Sequence, residues 1–189
     1  MDEPGSAFAL VASCDGATAI EKHRLVVFDT REAAADAVVM LMEAVGRRVG
    51  EREMVLGLAT GSTPIPVYQR LVAREKDQGA QSLTWQRVRT FNLDEYLPMQ
   101  PDNEESYHHF MHHHLFSHIP IAPENVHIPP GDVEMDRSDA ACTDYERAIE
   151  QSGTPLACRV AGVWRRLGVS HRVKGALICS CLESVKQDT

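Results

Sequence analysis

Apolar positions along the chain fall into two alternating rhythms. Compact runs, Arg24-Leu25-Val26-Val27-Phe28, Met54-Val55-Leu56-Gly57-Leu58-Ala59 and a third within Trp85 to Asn92, alternate with longer segments whose apolar residues return every three or four positions. A run of that length predicts a strand buried on both faces, and the longer spacing predicts an amphipathic helix. The first such helix is expected over Arg31 to Arg48, with Ala34, Val38, Leu41, Met42 and Val45 on one face, Thr30 near its start and Gly50 near its stop. Val67 to Lys76 repeats the pattern, Ser106 to Leu115 and Met135 to Glu150 supply two more helices, and Asn125-Val126-His127-Ile128 reads as a short fourth strand. Strand and helix in alternation predict parallel strands joined by right-handed crossovers, that is, a three-layer α/β fold. Residues 1–23 form a small-residue leader, 24–153 one α/β domain, and 154–189 a divergent tail with no clean period.

Charge and cysteine usage narrow the functional classes. Nineteen basic residues against 27 acidic ones, a net charge of −8, fit neither a nucleic-acid backbone nor an anionic membrane. Cys14, Cys142, Cys158, Cys179 and Cys181 show no CxxC spacing, so a reducing cytoplasmic setting is expected rather than a disulfide framework or a zinc site. No apolar segment has membrane-spanning length.

Two stretches carry candidate chemistry. Thr60-Gly61-Ser62-Thr63-Pro64 stands between a strand and a helix start, where backbone N–H groups and hydroxyls can converge on an anion. An ordinary turn with a hydroxyl cap has the same composition. Phe91-Asn92-Leu93-Asp94-Glu95-Tyr96 delivers two adjacent carboxylates at a strand-to-loop exit, where Asp94 is either a site residue or a cap. In a parallel sheet both stretches open into one crevice, so a phosphate cradle and a carboxylate pair would face one small ligand. That combination suggests a sugar phosphate with a proton to be moved. His108, His109, His112, His113, His114 and His118 include i,i+4 pairs with metal-ligand spacing, but no His-Glu-x-x-His order, and are read as a solvated helix face without a metal.

Leu56 to Pro64 as LGLATGSTP, Thr90 to Leu97 as TFNLDEYL, Glu105 to Met111 as ESYHHFM and Ala122 to Asn125 as APEN resemble the glucosamine-6-phosphate deaminase/isomerase family in order and spacing. The related 6-phosphogluconolactonases share the Gly-Ser-Thr-Pro loop but typically carry Asp-Glu-Arg where this chain has Asp94-Glu95-Tyr96. The resemblance implies a modified Rossmann-like, mostly parallel sheet and conversion of glucosamine 6-phosphate to fructose 6-phosphate and ammonia. It implies Asp94 as the catalytic base, Gly61, Ser62 and Thr63 as the phosphate loop, and Thr60, Glu95 and Tyr96 as supporting residues. It implies no metal and no cofactor. The partner expected is a small sugar phosphate, with a homo-oligomer allowed.

The resemblance stops near Gly153. Family members continue with a Gly-His-Ile-(Ala/Gly)-Phe-Asn-Glu-Pro segment whose His and Glu open the sugar ring, and Ser170-His171-Arg172 does not match it. The sheet is therefore expected to be incomplete at the C-terminus. With suitable codons, a one-base shift across Ser170 to Leu177 reads close to the missing motif, which marks the tail as a frameshift candidate. Two alternatives to the deaminase follow: a catalytically inactive sugar-phosphate-binding or regulatory relic, and a 6-phosphogluconolactonase-like hydrolase.

Overall fold

The computed structural model describes residues 26–78, 83–152, 158–160 and 176–178. Thr30 opens helix α1 (Arg31–Val49) by accepting the Ala33 N–H on its hydroxyl, and Gly50, at φ 65°, closes it. Strand β1 (Met54–Leu58) follows, then α2 (Ile65–Gln78) and β2 (Val88–Asn92), the last preceded by a 3-10 turn at Trp85–Arg87. A three-residue strand β3 (Asp94–Tyr96) leads to α3 (Tyr107–His114), the two-residue β4 (Val126–His127), and α4 (Ser138–Gln151). Two short strands, β5 (Cys158–Val160) and β6 (Ala176–Ile178), come last.

The main sheet runs β4-β2-β1-β5 and all its pairings are parallel. All five residues of β1 are buried, as a central parallel strand covered on both faces requires. Its side chains alternate between two cores. Met54, Leu56 and Leu58 pack with Met42 of α1, Tyr68 of α2 and Met111 of α3, while Val55 packs with Phe91 and with Tyr145 of α4. Helices thus cover both faces, and the three-layer expectation holds.

The strand expected at 24–28 does not form over its described part. Residues 26–28 carry no ladder, and Val27 is 81% exposed. An apolar run specifies that a segment favours burial, not that a partner edge is free to receive it, and both edges of β1 are taken by β2 and β5. The helices at 31, 65, 107 and 138 start within a few residues of where the spacing puts them. In the tail after 153, whose sequence shows no clean period, two short strands form, β5 and β6; the rest of that tail, like the leader up to residue 25, lies outside the described residues.

One close approach ties the loop after β3 to the chain before α4. Met99 N–H donates to Gly131 O at 2.6 Å, and a Cβ on Gly131 would stand 2.5 Å from Tyr96 O and 2.8 Å from Met99 O. These two atoms are backbone and cannot swing aside, and the third obstructing atom, Glu95 Cγ at 2.8 Å, belongs to a buried side chain. Gly131→Ala is expected to cost about 2–3 kcal/mol in urea unfolding, at the upper end for overpacking; a loss under about 0.5 kcal/mol would show that the two segments separate freely.

Candidate active site

The register of β1 and β2 builds the site. Leu58 pairs with Asn92, so Thr60 and Asp94, each two residues further on, leave adjacent strands side by side at the C-terminal edge of the sheet. Neighbouring strands lie about 4.8 Å apart, which brings loop and carboxylate to one crevice.

The strand end before the loop is clamped by Tyr68 of α2. Its buried hydroxyl donates to Ala59 O at 2.5 Å and accepts the Ala59 N–H at 3.2 Å, and burial pushes the phenol well above the usual tyrosine range. Beyond Ala59 the chain turns through Gly61, whose φ of 100° a side chain rarely adopts, and Gly61, Ser62 and Thr63 all stand exposed. Arg31, in the first turn of α1, donates from Nη2 to Ser62 O at 3.2 Å and brings a cation to this loop.

The two carboxylates have parted company. Successive strand residues point to opposite sides, and Glu95, 2% exposed, turns inward. Its Oε1 accepts the N–H groups of Tyr96 and Tyr107, both at 2.9 Å, and its Oε2 accepts His108 N–H at 2.8 Å. With Ser106 Oγ accepting His109 N–H at 2.9 Å, these bonds satisfy the orphan donors that open α3 and set a negative charge at its positive end. The expected carboxylate pair is therefore corrected: Glu95 is spent as a helix cap, and of the two only Asp94 is left for chemistry. Nor is Asp94 on a bare loop, because it begins β3, pairing antiparallel with Ile178.

Asp94 is mostly buried, and its carboxyl is pushed up to about 6, first by burial and then by the charge of Glu95. Close to it stands Tyr107, absent from the expected site residues. Its hydroxyl donates to Tyr96 Oη at 3.1 Å and the two rings lie 4.7 Å apart. Burial, the bond to Tyr96 and the charge of Asp94 raise the Tyr107 phenol, while the Thr60 hydroxyl acts the other way. Thr60, Asp94, Tyr96 and Tyr107 thus form one polar cluster. Arg31 and Tyr107 were hidden in the sequence for different reasons: the first reaches the loop from 31 residues away, whereas the second sits inside the ESYHHFM motif and could have been found there.

The histidines of α3 stack on one another and on aromatics, with ring centroids 4.6 Å apart for His108 and His112 and 4.4 Å for Phe110 and His114. Burial first, then neighbouring histidines, holds His112 and His114 below the ordinary histidine range. Among the described residues no three His, Cys, Asp or Glu side chains converge as metal ligands, and no helix is long and apolar enough to cross a membrane.

The chain is 47% identical over 103 residues to glucosamine-6-phosphate deaminase 2 of Bacillus subtilis, covering 54% of this chain and 39% of that protein. It is 39% identical over 157 residues to glucosamine-6-phosphate deaminase 2 of Giardia intestinalis, covering 82% and 53%. Among solved structures, a monomeric glucosamine-6-phosphate deaminase superposes with a TM-score of 0.62 at 30% identity, over 69% of this chain and 52% of that one. A 6-phosphogluconolactonase from Thermotoga maritima does so with 0.53 at 26%, over 68% and 53%. The chain spans about half the length of the relatives it matches. Residues 29–162 match the family of glucosamine-6-phosphate isomerases and 6-phosphogluconolactonases, and the chain belongs to that family.

Proposed function

We propose that the crevice binds glucosamine 6-phosphate and that Asp94 carries a proton between carbon-2 and carbon-1, the isomerisation step of a deaminase that yields fructose 6-phosphate and ammonia. The observation that carries this reading is Asp94 itself, a mostly buried carboxylate held at about 6 beside the Gly61–Thr63 loop. A base in that range is ionised at neutral pH yet holds a proton well enough to return it. The loop N–H groups and hydroxyls, with Arg31 behind them, would anchor the phosphate and leave the far end of the sugar chain to Asp94. Thr60, Tyr96 and Tyr107 would position that end. Proton transfer by a carboxylate calls for no cofactor, and cysteines without disulfide spacing suit a reducing cytoplasm. The unit doing this is residues 24–153, with 154–189 a divergent tail; the transcript across that tail tests the frameshift.

One sequence observation favours a second reading, binding without turnover: Ser170-His171-Arg172 lacks the flanks of the family's ring-opening segment. The two separate in an experiment that bypasses ring opening. Fructose 6-phosphate with ammonium in deuterium oxide supplies an open-chain keto form by spontaneous opening of its furanose ring, without help from the protein. Loss of its carbon-1 proton signal, at a rate rising as pH climbs through about 6, is expected if Asp94 is the base. Ammonia release from glucosamine 6-phosphate, followed in parallel, reports the complete reaction. Saturable binding with neither exchange nor release selects the second reading, and lactone hydrolysis would displace both.

A further inference from the structure

At the opposite pole, where the parallel strands begin, lies a cavity of about 240 Å³ lined by Glu43, Arg47, Arg52, Met54, Thr84 and Arg87, among others. It is about 17 Å from the candidate active site, the length of a five-residue strand. Buried Met54, Leu83 and Val88 form its apolar wall. Gly46 lets α1 close on that wall, since a Cβ there would stand 2.9 Å from Leu83 Cδ2.

Its polar groups are arranged in depth. Glu43 is 9% exposed, and its Oε1 is buried without a hydrogen-bond partner; Arg74 Nε, at 3.9 Å, is an ion pair too long to donate. A buried carboxylate oxygen left in that state costs free energy until a donor reaches it. Around the mouth stand three exposed guanidinium groups, Arg47, Arg52 and Arg87, none paired with a carboxylate among the described residues. Glu53 is engaged elsewhere, by Arg89 at 3.2 Å. The basic residues at the end of α1, Arg52 included, whose Nε donates to Val49 O at 3.4 Å, would by themselves be explained by the helix dipole, but Arg87 comes from the turn before β2 and lines the same space. In a chain of net charge −8, three such cations at one cavity mark an anion site.

We propose that this cavity is a second small-molecule site, which takes a phosphorylated, hydroxyl-bearing metabolite with its phosphate on Arg47, Arg52 and Arg87 and a hydroxyl seated on Glu43. Its volume lies below the range of drug-sized pockets, about 300–1,000 Å³, and suits a molecule of monosaccharide size. Because the walls belong to α1, β1 and the start of β2, occupancy would brace the strands whose far ends carry the loop and Asp94.

The test is an amide-resolved NMR titration of the 189-residue chain with glucose 6-phosphate and, separately, inorganic phosphate. Saturable shifts are expected at Gly46, Gly50 and Thr84, distinct from any at Gly61 to Thr63. Arg47→Ala and Arg87→Ala, both at exposed positions, are expected to weaken the first set about tenfold each and leave the second unchanged. Glu43→Gln is expected to remove the preference for glucose 6-phosphate over phosphate. The proposal is overturned if the first set does not move, if neither arginine variant weakens it, or if the parent shows no such preference.

Discussion

Asp94→Asn is expected to lower carbon-1 proton exchange by roughly a hundred- to ten-thousand-fold and, in the same protein, to raise stability at pH 8. Both effects follow from one cause. The folded carboxyl titrates at about 6, above the value of about 3.9 for an unfolded chain. Its stabilising contribution is fully present below about pH 4 and is lost as pH rises through 6, so above that point the ionised form is a burden on the fold. A carboxyl displaced that far, with part of its surface still open to solvent, burdens the fold by on the order of 2 kcal/mol. Asparagine removes the burden together with the base. Urea unfolding at pH 8 and pH 4 should therefore show a gain at the first and none at the second. If Asp94 were a turn cap, the variant would lose stability and exchange would survive, which is the outcome that would refute the assignment.

Glu95→Ala is expected to be the most damaging substitution among the polar residues of the site, by about 3–5 kcal/mol. It strands three N–H groups that now share one buried carboxylate, and each orphaned donor costs about 1–3 kcal/mol before water enters to relieve it. Glu95→Gln keeps the shape, but turns an NH2 group toward a backbone N–H and should lose about half as much. The Gln variant also gives a second readout. Glu95 is the second cause of the raised Asp94 carboxyl, so removing its charge should move the onset of proton exchange to lower pH. An unchanged onset with unchanged stability would mean that Glu95 neither caps α3 nor acts on its neighbour.

The contrast between these adjacent acids shows what was legible in the chain. The helices could be read because burial imposes the 3.6-residue period and because Thr30 and Ser106 mark helix starts by chemistry that needs no distant partner. The crevice could be read because parallel strands end on the same side, which makes Asp94 and the Gly61–Thr63 loop neighbours by topology alone. Glu95 could not be assigned that way, since two consecutive carboxylates look alike until the pleat sends one outward and one beneath α3. Residues 26–28 misled because strand pairing depends on a vacant edge elsewhere in the sheet. The second cavity was invisible for the same kind of reason: Glu43 on α1 and Arg87 before β2 lie on separate segments and only the assembled layers bring them together.

Tyr145 carries a consequence for how the tip of β2, which leads to Asp94, is held in place. Its hydroxyl reaches from α4 to two carbonyls at once, Asn92 O at 2.7 Å and His127 O at 3.0 Å, at the ends of β2 and β4. Carbonyl oxygens aimed at the same spot repel each other, and a single shared proton holds them there. Phe91, stacked on the His127 ring at 4.4 Å and edge-on to Tyr145, keeps that hydroxyl from swinging away. The helix behind the sheet thus works as a caliper, gauging the gap between the tips of β2 and β4 from the face that α4 covers.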